Sequence, residues 1–135
     1  NGRIRGIYPW GFDWPPPSNV ENLADMNAGR KGNLEHLISG YEDRFPQLAP
    51  VGAFPANERG IVALGGNASE WVDTDYDAAG TSAKEGDEKK VLGTVRGGNW
   101  QTANPDELLS SVRIPLPVDT RRPNLGFRIV LERRK

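Results

Sequence analysis

Glycine and proline set the strongest limit on what this chain can fold into, because 16 glycines and 11 prolines are spread over 135 residues. Glycine weakens helices and strands through its conformational freedom, while proline removes a backbone donor and breaks helix interiors. A long helical bundle and a doubly wound sheet are therefore excluded. Four tryptophans, four phenylalanines and three tyrosines still supply large apolar faces. The composition predicts one loop-rich globular domain.

The absence of cysteine removes several kinds of chemistry from this chain. Thiol nucleophiles, disulfides, iron-sulfur clusters and zinc-thiolate sites all need cysteine. The single histidine, His36, cannot build a multi-histidine metal centre, and we expect a surface or half-buried residue there and not a ligand. Any bound metal should therefore be held mainly by oxygen atoms.

Charge and hydropathy exclude two further classes of partner. A net charge of −1 argues against general nucleic-acid binding, and no apolar run approaches the length of a membrane span. The sequence leaves the compartment open, with a bacterial cell envelope or secretion among the alternatives.

Local patterns predict few regular elements. Alternating apolar residues predict strands at residues 3–8, 91–100 and 126–132, with the last antiparallel to 91–96. Two short helices are predicted, at 33–39 and at 105–113, the second with Asn104 as its N-cap and Pro105 as its first residue. The remaining predictions are mostly loop at 18–60, brief strands or buried turns at 51–54, 61–64 and 71–72, and an exposed loop at 73–90.

Glycines and oxygen-bearing side chains mark three places along these loops. Gly97-Gly98 predicts a bulge or a close approach of two backbone segments. Carboxylate, amide and carbonyl oxygens gather at Asn22-Leu23 with residues 42–45, and again at 65–71, which includes Glu70. Calcium takes six to eight such oxygens in irregular geometry. From the residues alone, a structural alternative to calcium binding remains. Asn22 and Asp43 would cap turns, and Glu70 would pair with an arginine.

A family resemblance runs through almost the whole chain. Its motifs occur in one order: residues 8–11 (YPWG), 49–57 (APVGAFPAN), 60–61 (GI), 66–71 (GNASEW), 95–100 (VRGGNW), Arg113 and 124–128 (NLGFR). The chain resembles the C-terminal part of a formylglycine-generating enzyme, or sulfatase-modifying factor, domain. The resemblance implies an α+β fold, a loop-rich variant of the C-type lectin fold with short antiparallel strands, little helix and bound calcium.

The resemblance also implies the calcium ligands. The first site would use the Asn22 side chain, the Leu23 carbonyl, the Asp43 carboxylate and the Phe45 carbonyl. A second site would use the carbonyls of Gly66 and Ala68 with the Glu70 carboxylate. Its further side-chain ligand is missing, because Ala63 stands at that position.

Two departures from the family pattern limit the chemistry. Oxidising members carry a copper-binding cysteine pair, and the corresponding residues here are Thr102 and Glu107. Copper binding and formylglycine generation are therefore not expected of this chain. The chain also corresponds to the C-terminal part of one family domain, residues 1–135, without the N-terminal part. This predicts an exposed apolar face, a companion chain or a fused domain.

Without the cysteines, the first functional hypothesis is a non-catalytic module that binds a protein, a small molecule or a glycan. Its candidate surface combines aromatic, amide and cationic side chains: Trp100, Gln101, Asn104, Arg113, Arg121 and Arg122. Structural roles for Trp100 and Arg113 stay open, as does kinship with the variable proteins of diversity-generating retroelements.

Two alternatives are retained. One is an enzyme of different chemistry, with catalytic groups in the absent N-terminal part or among Asp73, Asp75 and Asp77, which read better as a solvated face. The other is a regulatory domain fused to a kinase, a protease or an envelope lipoprotein.

Overall fold

The computed structural model describes residues 6–32, 34–76 and 91–131. Regular structure is short: helix α1 (Met26–Gly32), strands β1 (Ser69–Asp75), β2 (Leu92–Arg96), β3 (Ile114–Pro117) and β4 (Leu125–Gly126), and a 3-10 helix at Pro105–Leu108. The prediction of a loop-rich α+β domain is confirmed. No helix within these ranges combines the length and apolar character needed to cross a membrane.

The four strands form one mixed sheet in the order β3-β2-β1-β4. Strand β2 is antiparallel to both β1 and β3, whereas β4 runs parallel to β1. Strand β3, which local sequence pattern did not predict, contains Pro115 and Pro117. Proline is tolerated there because β3 lies at an edge of the sheet, where a missing donor costs no ladder hydrogen bond.

The prediction of a closing strand at 126–132 antiparallel to 91–96 is wrong over the described residues. Only Leu125 and Gly126 pair, and they pair with β1 at Ser69 and Glu70. Both sides of β2 are already taken by β1 and β3. Residues 127–131 therefore run on outside the sheet, with most of their surface exposed.

The helix lies earlier than predicted. Asp25 caps α1 by accepting a hydrogen bond from the Ala28 backbone N–H at 2.8 Å. Residues 34–39 are not helical, because the Ile38 backbone N–H donates instead to the Ala24 carbonyl at 2.8 Å. Gly29 lets this segment pack on α1, since a Cβ there would lie 2.6 Å from Leu37 Cδ1.

The predicted helix at 105–113 is reduced to a single 3-10 turn. The predicted cap is confirmed, with Asn104 Oδ1 accepting from the Asp106 N–H at 3.0 Å and Pro105 opening the turn. Beyond Leu108 the backbone turns to a tertiary partner, because the Ser110 N–H donates to the Ile7 carbonyl at 2.7 Å. That bond replaces the one a continued helix would make.

Two further predictions concern a strand at residues 3–8 and a bulge or close backbone approach at Gly97-Gly98. Tyr8 does not continue a strand but exchanges two backbone hydrogen bonds with Gly11, closing a tight turn; residues 1–5 lie outside the described ranges. The close approach at Gly98 is confirmed: its N–H donates to the Gly65 carbonyl at 3.0 Å, and a Cβ there would collide with the Leu108 side chain.

The core is built mostly from loop residues. Leu23, Ile38 and Tyr41 are almost fully buried and pack with Tyr8 and Leu108. The runs at 51–54 and 61–64 form turns and bends, whereas Trp71 and Val72 belong to β1. Because the loops carry the core, the hydrogen bonds that hold them together also position the candidate site.

Candidate cation site and polar pocket

Asn67 ties three distant segments together. Its Oδ1 accepts from Asn22 Nδ2 at 2.9 Å and from the Ala49 N–H at 2.8 Å, while its own N–H donates to the Asn22 carbonyl at 2.7 Å. The Trp100 N–H donates to the Asn67 carbonyl at 3.1 Å. Asn67 has φ of 69°, a conformation that asparagine accepts more readily than most residues. The Asn67 side chain therefore supplies hydrogen bonds between these loops, as strand pairing would in a sheet.

Asn22 carries a buried oxygen without a hydrogen-bond partner among the described residues. Its Nδ2 donates to the Gln47 carbonyl at 2.7 Å and to Asn67, which fixes which end of the carboxamide is nitrogen. Asn22 is fully buried, and its Oδ1 has no hydrogen-bond partner within the described part of the chain. An unpartnered buried oxygen is costly, so this atom calls for a donor or a cation.

The Asp43 carboxylate lies in the same group of loops. Its Oδ2 accepts from the Leu23 N–H and its Oδ1 from the Phe45 N–H, both at 2.8 Å. Burial raises the pKa of Asp43 to about 6, against the opposing effect of these two backbone donors. The predicted first calcium set is thus connected. Asn22 precedes Leu23 in the chain, and the Asp43 carboxylate accepts from the Leu23 and Phe45 N–H groups. The donor set and the orphaned Asn22 oxygen fit a hard cation.

The second predicted calcium set is engaged differently. Arg128 forms a bidentate pair with the Glu70 carboxylate, with Nε 2.5 Å from Oε2 and Nη2 2.7 Å from Oε1. The same guanidinium donates to the carbonyls of Val62 and Ala63 at 3.3 Å. The Gly66 carbonyl accepts from the Ala68 N–H at 2.9 Å. With a guanidinium bound to Glu70, this set does not fit a second metal ion.

Glu21 is a buried carboxyl group that the sequence reading missed. It is 5% exposed, and its Oε1 accepts from the Gly65 N–H at 2.9 Å while Oε2 has no partner among the described residues. Burial raises its pKa to about 7, an effect that the nearby backbone donors and Arg128 only partly oppose. Nothing local in the sequence around Glu21 signals this burial.

A polar pocket of about 550 Å³ lies on another part of the molecule. Four carboxamides line it, those of Asn99, Gln101, Asn104 and Asn124. The rest of the lining comes from His36, Leu37, Thr102, Ala103 and Glu107. This volume is within the usual range for small-molecule sites. Thr102 and Glu107, which the family resemblance places at the cysteine pair, thus line the same pocket.

Hydrogen bonds hold three of the carboxamides in place. Asn99 Nδ2 donates to Ser69 Oγ at 2.9 Å, and Asn99 Oδ1 accepts from the Gln101 N–H at 3.0 Å. Asn124 Nδ2 donates to both Asn99 Oδ1 at 3.1 Å and Gln101 Oε1 at 2.8 Å. The pocket wall is therefore ordered before any ligand arrives.

Two of the six predicted ligand residues line the pocket, and the other four lie elsewhere. Gln101 and Asn104 line the pocket. Trp100 is buried, at 5% exposure, and Arg113 is committed to the sheet, where it donates to Thr94 Oγ1 at 3.1 Å and lies over the Tyr76 ring. Arg121 and Arg122 are exposed and lie outside the pocket lining. His36 is exposed as expected, but it also lines the pocket, which spacing alone could not have indicated.

The acidic residues of the enzyme alternative do not form a centre in the described ranges. Asp73 is exposed on β1, Asp75 ends that strand, and Asp77 lies outside the described residues. Over residues 6–32, 34–76 and 91–131, no three histidine or carboxylate side chains converge as a metal-binding group. A cation at the first oxygen cluster would therefore depend on the Asp43 carboxylate together with carbonyl and carboxamide oxygens.

The loop-borne core and the short mixed sheet define a small, loop-rich α+β domain, and its sequence contains no cysteine. The chain belongs to the formylglycine-generating enzyme and sulfatase-modifying factor family, because the family model for the sulfatase-modifying factor enzyme 1-like domain matches residues 2–133. The family expected from the motifs is confirmed.

The chain is similar to a mouse protein and a bovine protein that share one name. The chain is 30% identical to the mouse protein named inactive C-alpha-formylglycine-generating enzyme 2, over 94% of this chain and 37% of the relative. It is 29% identical to the bovine protein of the same name, over 94% of this chain and 38% of the relative. The chain thus spans less than two fifths of the length of these relatives.

Proposed function

We propose that this chain is a non-catalytic, lectin-like binding module whose ligand occupies the polar pocket. The observation that carries the proposal is that Thr102 and Glu107 both line it. Oxidising members would have thiols at these positions, and this chain has no cysteine. Neither a hydroxyl nor a carboxylate can replace a thiolate toward copper(I). The word "inactive" in the names of the mouse and bovine relatives supports the same view.

The pocket proposal predicts that a bulky side chain at Gln101 abolishes ligand binding. Gln101 is exposed and lines the pocket, so Gln101→Trp should fill the space without disturbing the core. Ligand-observed NMR with a library of small polar molecules should give hits for the parent chain that disappear in this variant. The exposed Gln47→Trp serves as the control, and hits that persist in Gln101→Trp would reject the pocket as the binding site.

We further propose one calcium ion at the first oxygen cluster, held by Asn22 and Asp43 side chains and the Leu23 and Phe45 carbonyls. The support is the donor chemistry together with the unpartnered, buried Asn22 Oδ1. The ion would join two loops that share no strand or helix. A second ion is not proposed, because Arg128 already neutralises Glu70.

An exposed apolar segment favours a companion structure. Phe127, Ile129, Val130 and Leu131 are each at least 76% exposed, and they follow β4 at the edge of the sheet. Contiguous apolar exposure of this kind marks an interaction surface. We propose that a further portion of the family domain covers it, since the relatives are much longer than this chain.

The companion proposal predicts a change in hydrogen exchange. Backbone amides of residues 127–131 should exchange rapidly in the 135-residue chain and become at least tenfold more protected in a longer polypeptide that carries the further portion. Residues 48–52, which include the exposed Leu48 and Val51, provide a comparison that should not change. Equal exchange of 127–131 in both forms would rule the proposal out.

A further inference from the structure

The carboxamides of the pocket present a specific pattern of donors and acceptors. Asn99 is bound into the pocket wall, because its Nδ2 donates to Ser69 and its Oδ1 accepts from Gln101 and Asn124. Gln101 Oε1 and Asn124 Nδ2 are joined to each other at 2.8 Å. Within the described residues, this leaves the Gln101 Nε2 hydrogens and Asn124 Oδ1 without hydrogen-bond partners. A donor and an acceptor thus belong to two carboxamides that are hydrogen-bonded to each other.

The charge of the lining narrows the ligand class. Among the described residues that line the pocket, Glu107 is the one carboxylate, and neither lysine nor arginine is present. Asn104 Nδ2 lies 3.3 Å from Glu107 Oε1, so part of this carboxylate is already hydrogen-bonded. An anionic ligand would find no lysine or arginine among these residues, where His36 is the one other titratable side chain, and Glu107 would repel it. Leu37 and Ala103 are the two apolar residues among the described lining residues, and they give the pocket an apolar surface beside its polar groups.

Neutral hydroxyl groups match these features. A hydroxyl both donates and accepts, so adjacent hydroxyls on one ring can accept from Gln101 Nε2 and donate to Asn124 Oδ1 at the same time. The apolar C–H face of a sugar ring suits the small surface of Leu37 and Ala103. Resting on the proposed binding function, we infer that the pocket binds a neutral carbohydrate through Gln101 and Asn124.

The test uses side-chain amide signals in two-dimensional NMR of the full chain. The probes are the neutral disaccharides cellobiose, maltose, lactose and N,N′-diacetylchitobiose, with acetylarginine amide as the cationic comparison. At least one disaccharide should shift the Gln101 and Asn124 amide signals. Gln101→Glu keeps the acceptor for Asn124 and loses the free donor, so it should weaken that disaccharide at least fivefold. Gln47→Glu adds the same charge outside the pocket and should change affinity less than twofold.

The outcomes separate this inference from the function on which it rests. If only acetylarginine amide shifts these signals, and binds more tightly to Gln101→Glu, the ligand class is overturned while the binding function stands. If a disaccharide binds equally well to the parent chain and Gln101→Glu, the assigned contacts are wrong. If no probe shifts the signals, the carbohydrate inference is overturned, and the Gln101→Trp screen alone then decides the binding function.

Discussion

Asn67→Ala should lower the free energy of unfolding by about 3 to 4 kcal/mol, among the largest effects expected of a single polar side chain. The change removes the acceptor for Asn22 Nδ2 and for the Ala49 N–H, and both Asn22 and Ala49 are buried. It also places alanine at φ of 69°, which adds about 1 kcal/mol of backbone strain. Urea unfolding followed by tryptophan fluorescence measures the loss.

Two variants divide this effect into its parts. Asn67→Gly lacks the same side-chain hydrogen bonds but relieves the backbone strain. Its loss of unfolding free energy should therefore be about 1 kcal/mol smaller. Asn57→Ala removes an oxygen that accepts from the Arg59 and Ile61 N–H groups, but Asn57 is exposed and water can replace it. Its cost should stay near 1 kcal/mol. Equal losses for Asn67→Ala and Asn57→Ala would show that Asn67 does not join the loops.

Removal of calcium should lower the melting temperature by about 8 to 10 °C when the ion was present at a hundred times its dissociation constant. At that ratio a ligand bound only by the folded state contributes about 2.7 kcal/mol, and a domain of this size loses a few degrees per kcal/mol. Calorimetric melting with calcium and with a chelator gives the difference directly. A chain with the same melting temperature in both conditions has no stabilising site.

Asp43→Asn should remove most of that difference, because it replaces a carboxylate at the first oxygen cluster with a weaker, neutral ligand. The variant also loses stability in chelator, because one carboxylate oxygen becomes an NH2 donor, which cannot accept from the Leu23 or the Phe45 N–H. The readout is therefore the calcium-dependent shift, not the absolute temperature. Glu70→Gln is the matched control: its carboxylate binds Arg128, so the shift should persist. A shift lost in Glu70→Gln and retained in Asp43→Asn would place the ion at the second cluster instead.

Local signals in the sequence predicted local structure well. Asn104 caps the turn that Pro105 opens, because the contact spans only two residues. The β2 strand and the close approach at Gly98 were also predictable from pattern and glycine content. The helix at Met26–Gly32 was missed because its signal is a single cap, Asp25, ahead of a glycine-containing segment.

Partners distant in sequence were not predictable from pattern. Alternation at 126–132 indicated strand propensity but not that β3 and β1 occupy both sides of β2. The pocket joins His36, Asn99 and Asn124, which only tertiary folding brings together. Thr102 and Glu107 became meaningful through the family resemblance, since neither residue type marks a site by itself. Arg128 binds the Glu70 carboxylate that a second calcium would use, and this pair joins residues far apart in the sequence.

Copper(I) titration of a Thr102→Cys, Glu107→Cys double variant tests most directly whether the binding pocket occupies the place of the thiol pair. Both positions line one pocket, so two thiolates there should bind one copper(I) ion per monomeric chain, in competition with a chromophoric chelator. The parent chain should bind none, and each single variant should bind at least tenfold more weakly. A folded, monomeric double variant that binds copper(I) no better than the single variants would contradict the placement of the pocket, and with it the proposal that a binding site has replaced an oxidase centre.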